Sequence, residues 1–174
     1  MEIIIFLAIT CFIAWFSWHV SLEEKRYHGI YRFFSFESII LIVMLNYKVW
    51  FVDAFSVRQV CSWLLLVGSA IFAIVGFSLL FNRGKATGGF ENTTQLITSG
   101  IYRYIRHPLY LSLILLGFGV MLKHPGVLQW ILSIINIIAM YMTAKIEEKE
   151  MITRFGEEYR QYMNSSKMFI PFIL

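Results

Sequence analysis

Long apolar runs, separated by short polar stretches, fill most of this 174-residue chain. A helix needs roughly 20 mostly apolar residues to cross a bilayer. Runs of this kind occupy residues 3–20, 36–55, 57–81 and 127–144, and a shorter run of 15 residues occupies 108–122. As a helix, the shorter run rises only about 22 Å, less than the ~30 Å hydrocarbon core. The pattern predicts about five transmembrane helices, of which the fourth is short.

The fourth and fifth runs are joined by Lys123-His124-Pro125-Gly126, a sequence typical of a tight turn. They therefore form a predicted helical hairpin. Beyond Lys145 the chain is first charged and then apolar, which is typical of an amphipathic helix at a membrane surface. We predict an all-α, polytopic membrane protein with a C-terminal transmembrane hairpin and a cytosolic amphipathic tail. Residues 1–81 would form three N-terminal transmembrane helices, and residues 82–174 a core of loop, hairpin and C-terminal segment.

The composition supports this class. Hydrophobic residues make up 58% of the chain and charged residues 15%, against about 45–50% and about 25% in soluble domains. So short a chain cannot bury that much apolar surface in a core of its own. A soluble globular protein, a disordered segment and a nucleic-acid-binding module are therefore disfavoured. Cys11 and Cys61 lack the spacing of a disulfide framework or a zinc site, so we expect them to be small buried residues.

Lys and Arg gather on one side of the predicted membrane. The segments after the first, third and fifth helices carry twelve, whereas the other side carries three, Lys48, Arg58 and Lys123. The twelve are Lys25, Arg26, Arg32, Arg83, Lys85, Arg103, Arg106, Lys145, Lys149, Arg154, Arg160 and Lys167. Because cytoplasmic loops are rich in Lys and Arg, we predict an external N-terminus and a cytoplasmic loop and tail. Glu2 stands where a signal peptide would be basic, so we expect the first helix to be retained. The net charge of +4 would then reflect orientation and contact with anionic membrane lipids.

Residues 96–110, Leu-Ile-Thr-Ser-Gly-Ile-Tyr-Arg-Tyr-Ile-Arg-His-Pro-Leu-Tyr, form the first polar cluster. Pro108 suits the first turn of the fourth helix, where its missing N–H costs nothing. The free N–H groups and the helix dipole there favour an anionic ligand group. Anchoring of Arg and Tyr at the lipid head groups explains the same residues, and the pattern alone favours it.

The second cluster, Lys145-Ile-Glu-Glu-Lys-Glu150, places three acids at a border that is otherwise basic. A solvated continuation of the fifth helix, with mixed charges, is one interpretation. A cationic ligand between the two clusters is the other, because both lie on the same predicted side of the membrane.

Four polar residues interrupt the second apolar run, Glu37, Asn46, Lys48 and Asp53. They could line a polar pathway, which would suit a transport subunit or a non-enzymatic scaffold. The pattern favours the simpler interpretation that they face the membrane interface.

The two clusters together resemble a known family. Residues 96–110 resemble the Leu-Val-x-x-Gly-x-Tyr-x-x-x-Arg-His-Pro-x-Tyr signature of the isoprenylcysteine carboxyl methyltransferase family, which phospholipid methyltransferases share more loosely. Glu147-Glu148 and the later Phe155-Gly-Glu-Glu-Tyr-Arg-Gln-Tyr162 resemble its second signature. The resemblance runs from about Thr93 to the C-terminus. It implies an isoprenylcysteine O-methyltransferase-like membrane enzyme that uses S-adenosyl-L-methionine.

The resemblance also implies site residues. The cofactor-binding set is Gln95, Leu96, Ile97, Tyr102, His107, Pro108, Tyr110 and Glu147. Arg106 and Thr143 are implied on the substrate side, although the family typically has Arg where this chain has Thr143. The acceptor would be lipophilic, enter from the bilayer and present a carboxyl, hydroxyl, thiol or amine. If it needs a base, His107 and Glu148 are the candidates. No metal is implied.

A second enzyme class with a similar fold is the membrane sterol reductases, which use NADPH. The extra phosphate of NADPH would need a basic pocket, and the Glu147-Glu148 pair argues against one.

Overall fold

The computed structural model describes residues 2–22, 26–84 and 94–171. Within them the chain forms six α-helices and no β-strand: α1 Glu2–Ser17, α2 His28–Asn46, α3 Val57–Arg83, α4 Pro108–Met121, α5 Val127–Phe155 and α6 Glu157–Ser165. A π-helical turn, Trp18–Leu22, extends α1, and 3-10 turns follow α2 and precede α4. The predicted all-α architecture is confirmed.

Four helices, α1, α2, α3 and α5, are long and apolar enough to cross a bilayer. The fourth predicted span, α4, has 14 residues and rises only about 21 Å. Pro108 is its first residue, as predicted. The chain is therefore a multi-pass membrane protein with about five apolar helices, of which α4 is too short to cross alone.

The predicted bounds of the second helix are wrong. It begins at His28 rather than residue 36 and ends at Asn46 rather than residue 55, so Lys48 and Asp53 lie beyond it. Hydropathy misplaces it because polar side chains of α2 are buried against protein. Asn46 is fully buried and donates to the Val120 carbonyl at 2.8 Å, and Glu37 accepts from Thr10 at 3.1 Å. Glu37 and Asn46 therefore face protein and not the membrane interface.

The fifth helix extends beyond the predicted span, as one interpretation of the second cluster predicted. α5 runs past residue 144 to Phe155, so the predicted amphipathic tail starts as a continuation of α5. Only α6 is a separate helix, and it buries Tyr159 and Tyr162 on one face. The cause is tertiary: Glu148 on the extension is buried against Arg106 at 2.8 Å, a contact that the apolar pattern cannot reveal.

The hairpin of α4 and α5 packs between α2 and α3. Ser62 of α3 donates to the Gly119 carbonyl of α4 at 2.6 Å, and Ser35 of α2 donates to Asn136 Oδ1 of α5 at 2.6 Å. A Cβ on Gly117 would lie 2.4 Å from Asn136 Nδ2, so glycine permits this close approach of the helices. The packing buries the start of α4 inside the bundle.

Cys11 and Cys61 are exposed, so the expectation that they are buried is wrong. They lie on α1 and α3, whose apolar windows are covered by protein over only 11% of their residues. Lys25 and Lys85, which contribute to the predicted orientation, lie outside the described residues, as do residues 85–93 of the predicted loop. The division at residue 81 stays a prediction, although the hairpin packs directly on α2 and α3.

Candidate functional site

One cavity of about 760 Å³, including its open mouth, lies where the start of α4 meets the last turns of α5 and α6. It falls in the size range of small-molecule sites. Its lining residues are Leu80, Gln95, Leu96, Ile97, Tyr102, Arg106, His107, Pro108, Leu109, Tyr110, Glu147, Met151, Phe155, Tyr159 and Tyr162. All eight residues predicted to bind a cofactor are among them.

A C-terminal strap, Ser166–Met168, holds the wall of the cavity that precedes α4. Lys167 N–H donates to the Tyr104 carbonyl at 3.0 Å, and Arg106 N–H donates to the Lys167 carbonyl at 2.8 Å. His107 N–H donates to the Met168 carbonyl at 3.2 Å. These hydrogen bonds satisfy backbone N–H and C=O groups of the segment that precedes α4, and they fix the backbone of His107 at the N-terminus of α4. The strap therefore sets the position of the His107 ring.

The His107 imidazole lies between two carboxylates of α5. Its Nδ1 is 3.5 Å from Glu147 Oε2, and its Nε2 is 3.6 Å from Glu148 Oε1. The second distance is too long for a hydrogen bond. The buried Nε2 therefore has no hydrogen-bond partner among the residues that the structure describes, although it is in charge contact with Glu148. The ring stacks on Tyr110 with centroids 5.4 Å apart. Burial opposes a charge on His107, but its contacts with Glu147 and Glu148 outweigh burial and raise its pKa above the ordinary 6.5.

Arg106 also lines the cavity, but its guanidinium is engaged by protein. Nε and Nη2 both contact Glu148 Oε1 at 2.8 Å. Nη1 donates to the carbonyls of Met163 and Ser166. The side chains of Arg106 and Glu148 are 9% and 4% exposed. This ion pair joins the start of α4 to α5 and to the strap. Because the guanidinium is bound by Glu148 and by two backbone carbonyls, the substrate role of Arg106 stays a prediction.

Two predicted site residues do not line the cavity. Thr143 is fully buried, and its hydroxyl donates to the Ala139 carbonyl of the same helix at 2.8 Å. Glu148 lies behind His107 and is bound by Arg106. Of the two candidate bases, the structure thus brings only His107 to the cavity surface.

The structure adds six lining residues that we did not predict, Leu80, Leu109, Met151, Phe155, Tyr159 and Tyr162. Phe155, Tyr159 and Tyr162 belong to the second signature, so a signal was present. Tyr159 and Tyr162 share one face of α6 at a spacing of three residues, with ring centroids 5.8 Å apart. Tyr162 also donates to the Tyr102 carbonyl at 2.6 Å.

Burial raises the pKa of Tyr102, Tyr159 and Tyr162, so their hydroxyls stay neutral at physiological pH. The cavity therefore combines neutral aromatic rings with the carboxylate of Glu147. Aromatic faces and a carboxylate both attract cations, while Leu80, Leu109 and Met151 supply apolar surface. This arrangement suits an organic cation with an apolar partner. Within the described residues no group of His, Cys, Asp and Glu side chains is arranged to hold a metal ion.

Comparison with known proteins gives one family match. The model of the phospholipid methyltransferase family matches residues 57–158, which include α3, α4, α5 and the first residues of α6. Every lining residue except Tyr159 and Tyr162 falls inside the match.

Curated relatives carry methyltransferase names. Methanethiol S-methyltransferase 1 of Bradyrhizobium diazoefficiens is 32% identical over 62% of this chain and 38% of its own length. Methanethiol S-methyltransferase of Pseudomonas deceptionensis is 24% identical over 77% of this chain and 56% of its own length. Protein-S-isoprenylcysteine O-methyltransferase of Saccharomyces cerevisiae is 31% identical over 48% of this chain and 35% of its own length. The matches thus span less than two thirds of each relative. No solved structure matches the chain significantly.

Proposed function

Because the chain belongs to the phospholipid methyltransferase family, we propose that it is a membrane methyltransferase that transfers a methyl group from S-adenosylmethionine to a lipophilic acceptor. The observation that carries the proposal is that the matched residues bring His107, Pro108 and Glu147, from two distant signatures, to one cavity. The family match favours this activity over the NADPH-dependent reductase and over the non-enzymatic scaffold or transport subunit.

The lining residues fit this methyl donor, which carries an ammonium, a sulfonium and a carboxylate. Glu147 would hold the ammonium by a charge-assisted hydrogen bond. Tyr102 and Tyr110 would present ring faces to the sulfonium or the adenine. The N–H groups at the start of α4 would favour the carboxylate.

When bound, the donor supplies a methyl group on a positively charged sulfur, which is a good leaving group. The residues of this chain would align donor and acceptor and exclude water. For an acceptor that must lose a proton, neutral His107 is the candidate to receive it. Glu147 and Glu148, at 3.5 and 3.6 Å, would stabilise the resulting imidazolium.

We propose that the acceptor enters from the bilayer, because apolar side chains line much of the cavity. The relatives are named for a thiol acceptor and for isoprenylcysteine, so a thiol and a carboxyl are the first acceptor groups to test, followed by hydroxyl and amine. The same end of the bundle carries Arg83, Arg103 and Arg154. This supports a cytoplasmic cavity and C-terminus with an external N-terminus.

The donor site is tested by calorimetry on the purified protein in detergent, with S-adenosylhomocysteine as the probe. We expect binding by the native chain and at least about a tenfold loss in Glu147→Gln, because a charge-assisted bond is replaced by a neutral one. Glu158→Gln is the matched control, since Glu158 is an exposed acid of the second signature. Binding of NADPH with no response to S-adenosylhomocysteine would contradict the proposal.

The acceptor is tested by incubating the protein with a methyl-labelled donor and either a lipid extract or small thiols. Mass spectrometry of the products then identifies what is methylated. A labelled lipid supports a lipophilic acceptor entering from the bilayer. Labelling of soluble thiols alone would keep the methyltransferase and overturn the lipophilic acceptor.

A further inference from the structure

The charged face of α2 lies outside the family match, yet it reaches the helix that carries Glu147. His28 and Arg32 are four residues apart on α2, and they are 2% and 3% exposed. On α5, Glu147 and Glu150 are three residues apart, so they also share a helix face. The two helices pack closely against each other.

The contacts between α2 and α5 define how the two faces align. His28 Nδ1 is 3.2 Å from Glu150 Oε1, and Ser35 Oγ donates to Asn136 Oδ1 at 2.6 Å. Arg32 lies between His28 and Ser35 on α2. The facing part of α5 between Glu150 and Asn136 contains Glu147.

The end of α1 holds Arg32 in place. Nη2 of Arg32 donates to Ser21 Oγ at 2.7 Å, and Ser21 is fully buried. The guanidinium carbon lies 5.5 Å from the centroid of the Phe16 ring. A Cβ on Gly29 would lie 2.6 Å from Ser21 Cβ, so α1 and α2 approach closely at this point. The orientation of Arg32 is therefore set by the junction of α1 and α2.

Arg32 does not line the cavity, but its charge acts on two residues that do. It lies within electrostatic range of the Tyr110 hydroxyl and the Glu147 carboxylate, and Tyr110 and His107 are hydrogen-bond partners of that carboxylate. Glu147 also lies 3.5 Å from His107 at the start of α4. Because this region is buried, charge interactions are weakly screened and set the orientation of a carboxylate more strongly than in water.

We propose that Arg32 is a positioning residue, whose guanidinium, anchored on Ser21, orients the Glu147 carboxylate for the cationic methyl donor. This inference rests on the proposed function, since it takes Glu147 to bind the donor. It makes the junction of α1 and α2 part of the site, although the family match begins only at residue 57.

The test is a double-mutant cycle in the full-length protein, with S-adenosylhomocysteine binding and the donor KM as readouts. We expect Arg32→Met, which removes the charge, to weaken binding at least about fivefold, and Arg32→Lys to recover part of the loss. In the Glu147→Gln background, Arg32→Met should weaken binding less than about twofold, because residues acting through one another are not additive. The donor KM should rise more than kcat falls. Ser38→Ala is the control, since this buried α2 hydroxyl donates to the Phe34 carbonyl of its own helix at 2.7 Å.

Two results would overturn the inference. One is a loss in Arg32→Met that is equally large in the Glu147→Gln background. The other is no recovery in Arg32→Lys, with the melting temperature and binding falling together. If Glu147→Gln itself leaves binding intact, the donor site proposed above fails, which is a different result.

If Arg32→Met does not fold, Ser21→Ala replaces it, because this variant removes the acceptor of the Arg32 bond and keeps the guanidinium. It should weaken binding about twofold or more in the native background and leave it unchanged in the Glu147→Gln background. An equal loss in both backgrounds would contradict the inference.

Discussion

The two ends of the helix bundle each bury a cation, but the two cations have different surroundings. At the turn between α4 and α5, Lys123 is fully buried, and its Nζ donates to Gln59 Oε1 at 3.0 Å and lies 3.3 Å from the Trp63 ring centroid. The Gln59 amide donates in turn to the carbonyls of Val52 and Lys123. At the other end, His107 lies between the carboxylates of Glu147 and Glu148, and its buried Nε2 has no hydrogen-bond partner among the described residues.

This difference separates a structural network from a candidate binding site. A closed polar network rigidifies the fold, because every buried group is satisfied within the protein. A buried atom left unsatisfied costs free energy unless a ligand or water completes it. The burial of a cation does not by itself distinguish the two ends, since Lys123 and His107 are both buried. The following predictions test whether the ends are as different as their contacts indicate.

The largest expected effect is on stability at the cavity end. Arg106→Met leaves the buried Glu148 without its nearer cationic partner, so the free energy of unfolding should fall by about 3–5 kcal/mol. Denaturant titration in detergent, followed by helical circular dichroism, measures this. Arg103→Met is the matched control, since Arg103 is exposed on the same loop. Equal stability of the two variants would mean that the Arg106–Glu148 pair does not hold the strap.

At the opposite end, Lys123→Met should lower the free energy of unfolding by about 1–3 kcal/mol, because Gln59 Oε1 loses its donor inside the bundle. Binding of S-adenosylhomocysteine should stay unchanged within about twofold, since Lys123 lies at the far end of α4. Lys145→Met, an exposed lysine of α5, is the control for stability. A large loss of binding in Lys123→Met would show that the two ends are coupled.

A smaller effect is expected for Tyr162→Phe, which removes the hydrogen bond from Tyr162 to the Tyr102 carbonyl. The free energy of unfolding should fall by about 1 kcal/mol. Because Tyr162 lines the cavity, S-adenosylhomocysteine binding should weaken by a few fold. Tyr104→Phe, at an exposed tyrosine of the same loop, is the comparison. Unchanged binding in Tyr162→Phe would exclude α6 from the donor site.

The smallest and most specific effect is a pH dependence at His107. Its pKa in the folded chain is raised above the ordinary 6.5 by the carboxylates of Glu147 and Glu148. The stabilisation is therefore fully present below about pH 6.5 and is lost as the pH rises through the folded-state pKa. The slope cannot exceed about 1.4 kcal/mol per pH unit for one proton. Melting temperatures of the native chain and His107→Gln should converge as the pH rises from 6 to about 9, and a constant gap would contradict this.

The sequence alone determined the membrane class, the short fourth helix and its start at Pro108, and the family resemblance implied eight of the residues that line the cavity, seven of them within the two signatures. These features are local: the length of an apolar run or the order of residues within a motif decides them. The aromatic residues of the second signature were within reach too, since Tyr159 and Tyr162 share a face at a spacing of three residues.

Only the tertiary structure decided the bounds of α2, the burial of Glu148 on the extension of α5, the engagement of Arg106 and the approach of Arg32 to Glu147. Ser35 and Asn136 are 101 residues apart, and Arg106 and Glu148 are 42 apart. A hydropathy scale assigns each side chain its own free energy of transfer into lipid, so it places polar residues outside a span. The free-energy cost of burying a polar side chain is offset when a residue distant in sequence forms a hydrogen bond with it. Which residue does so is decided by how the helices pack.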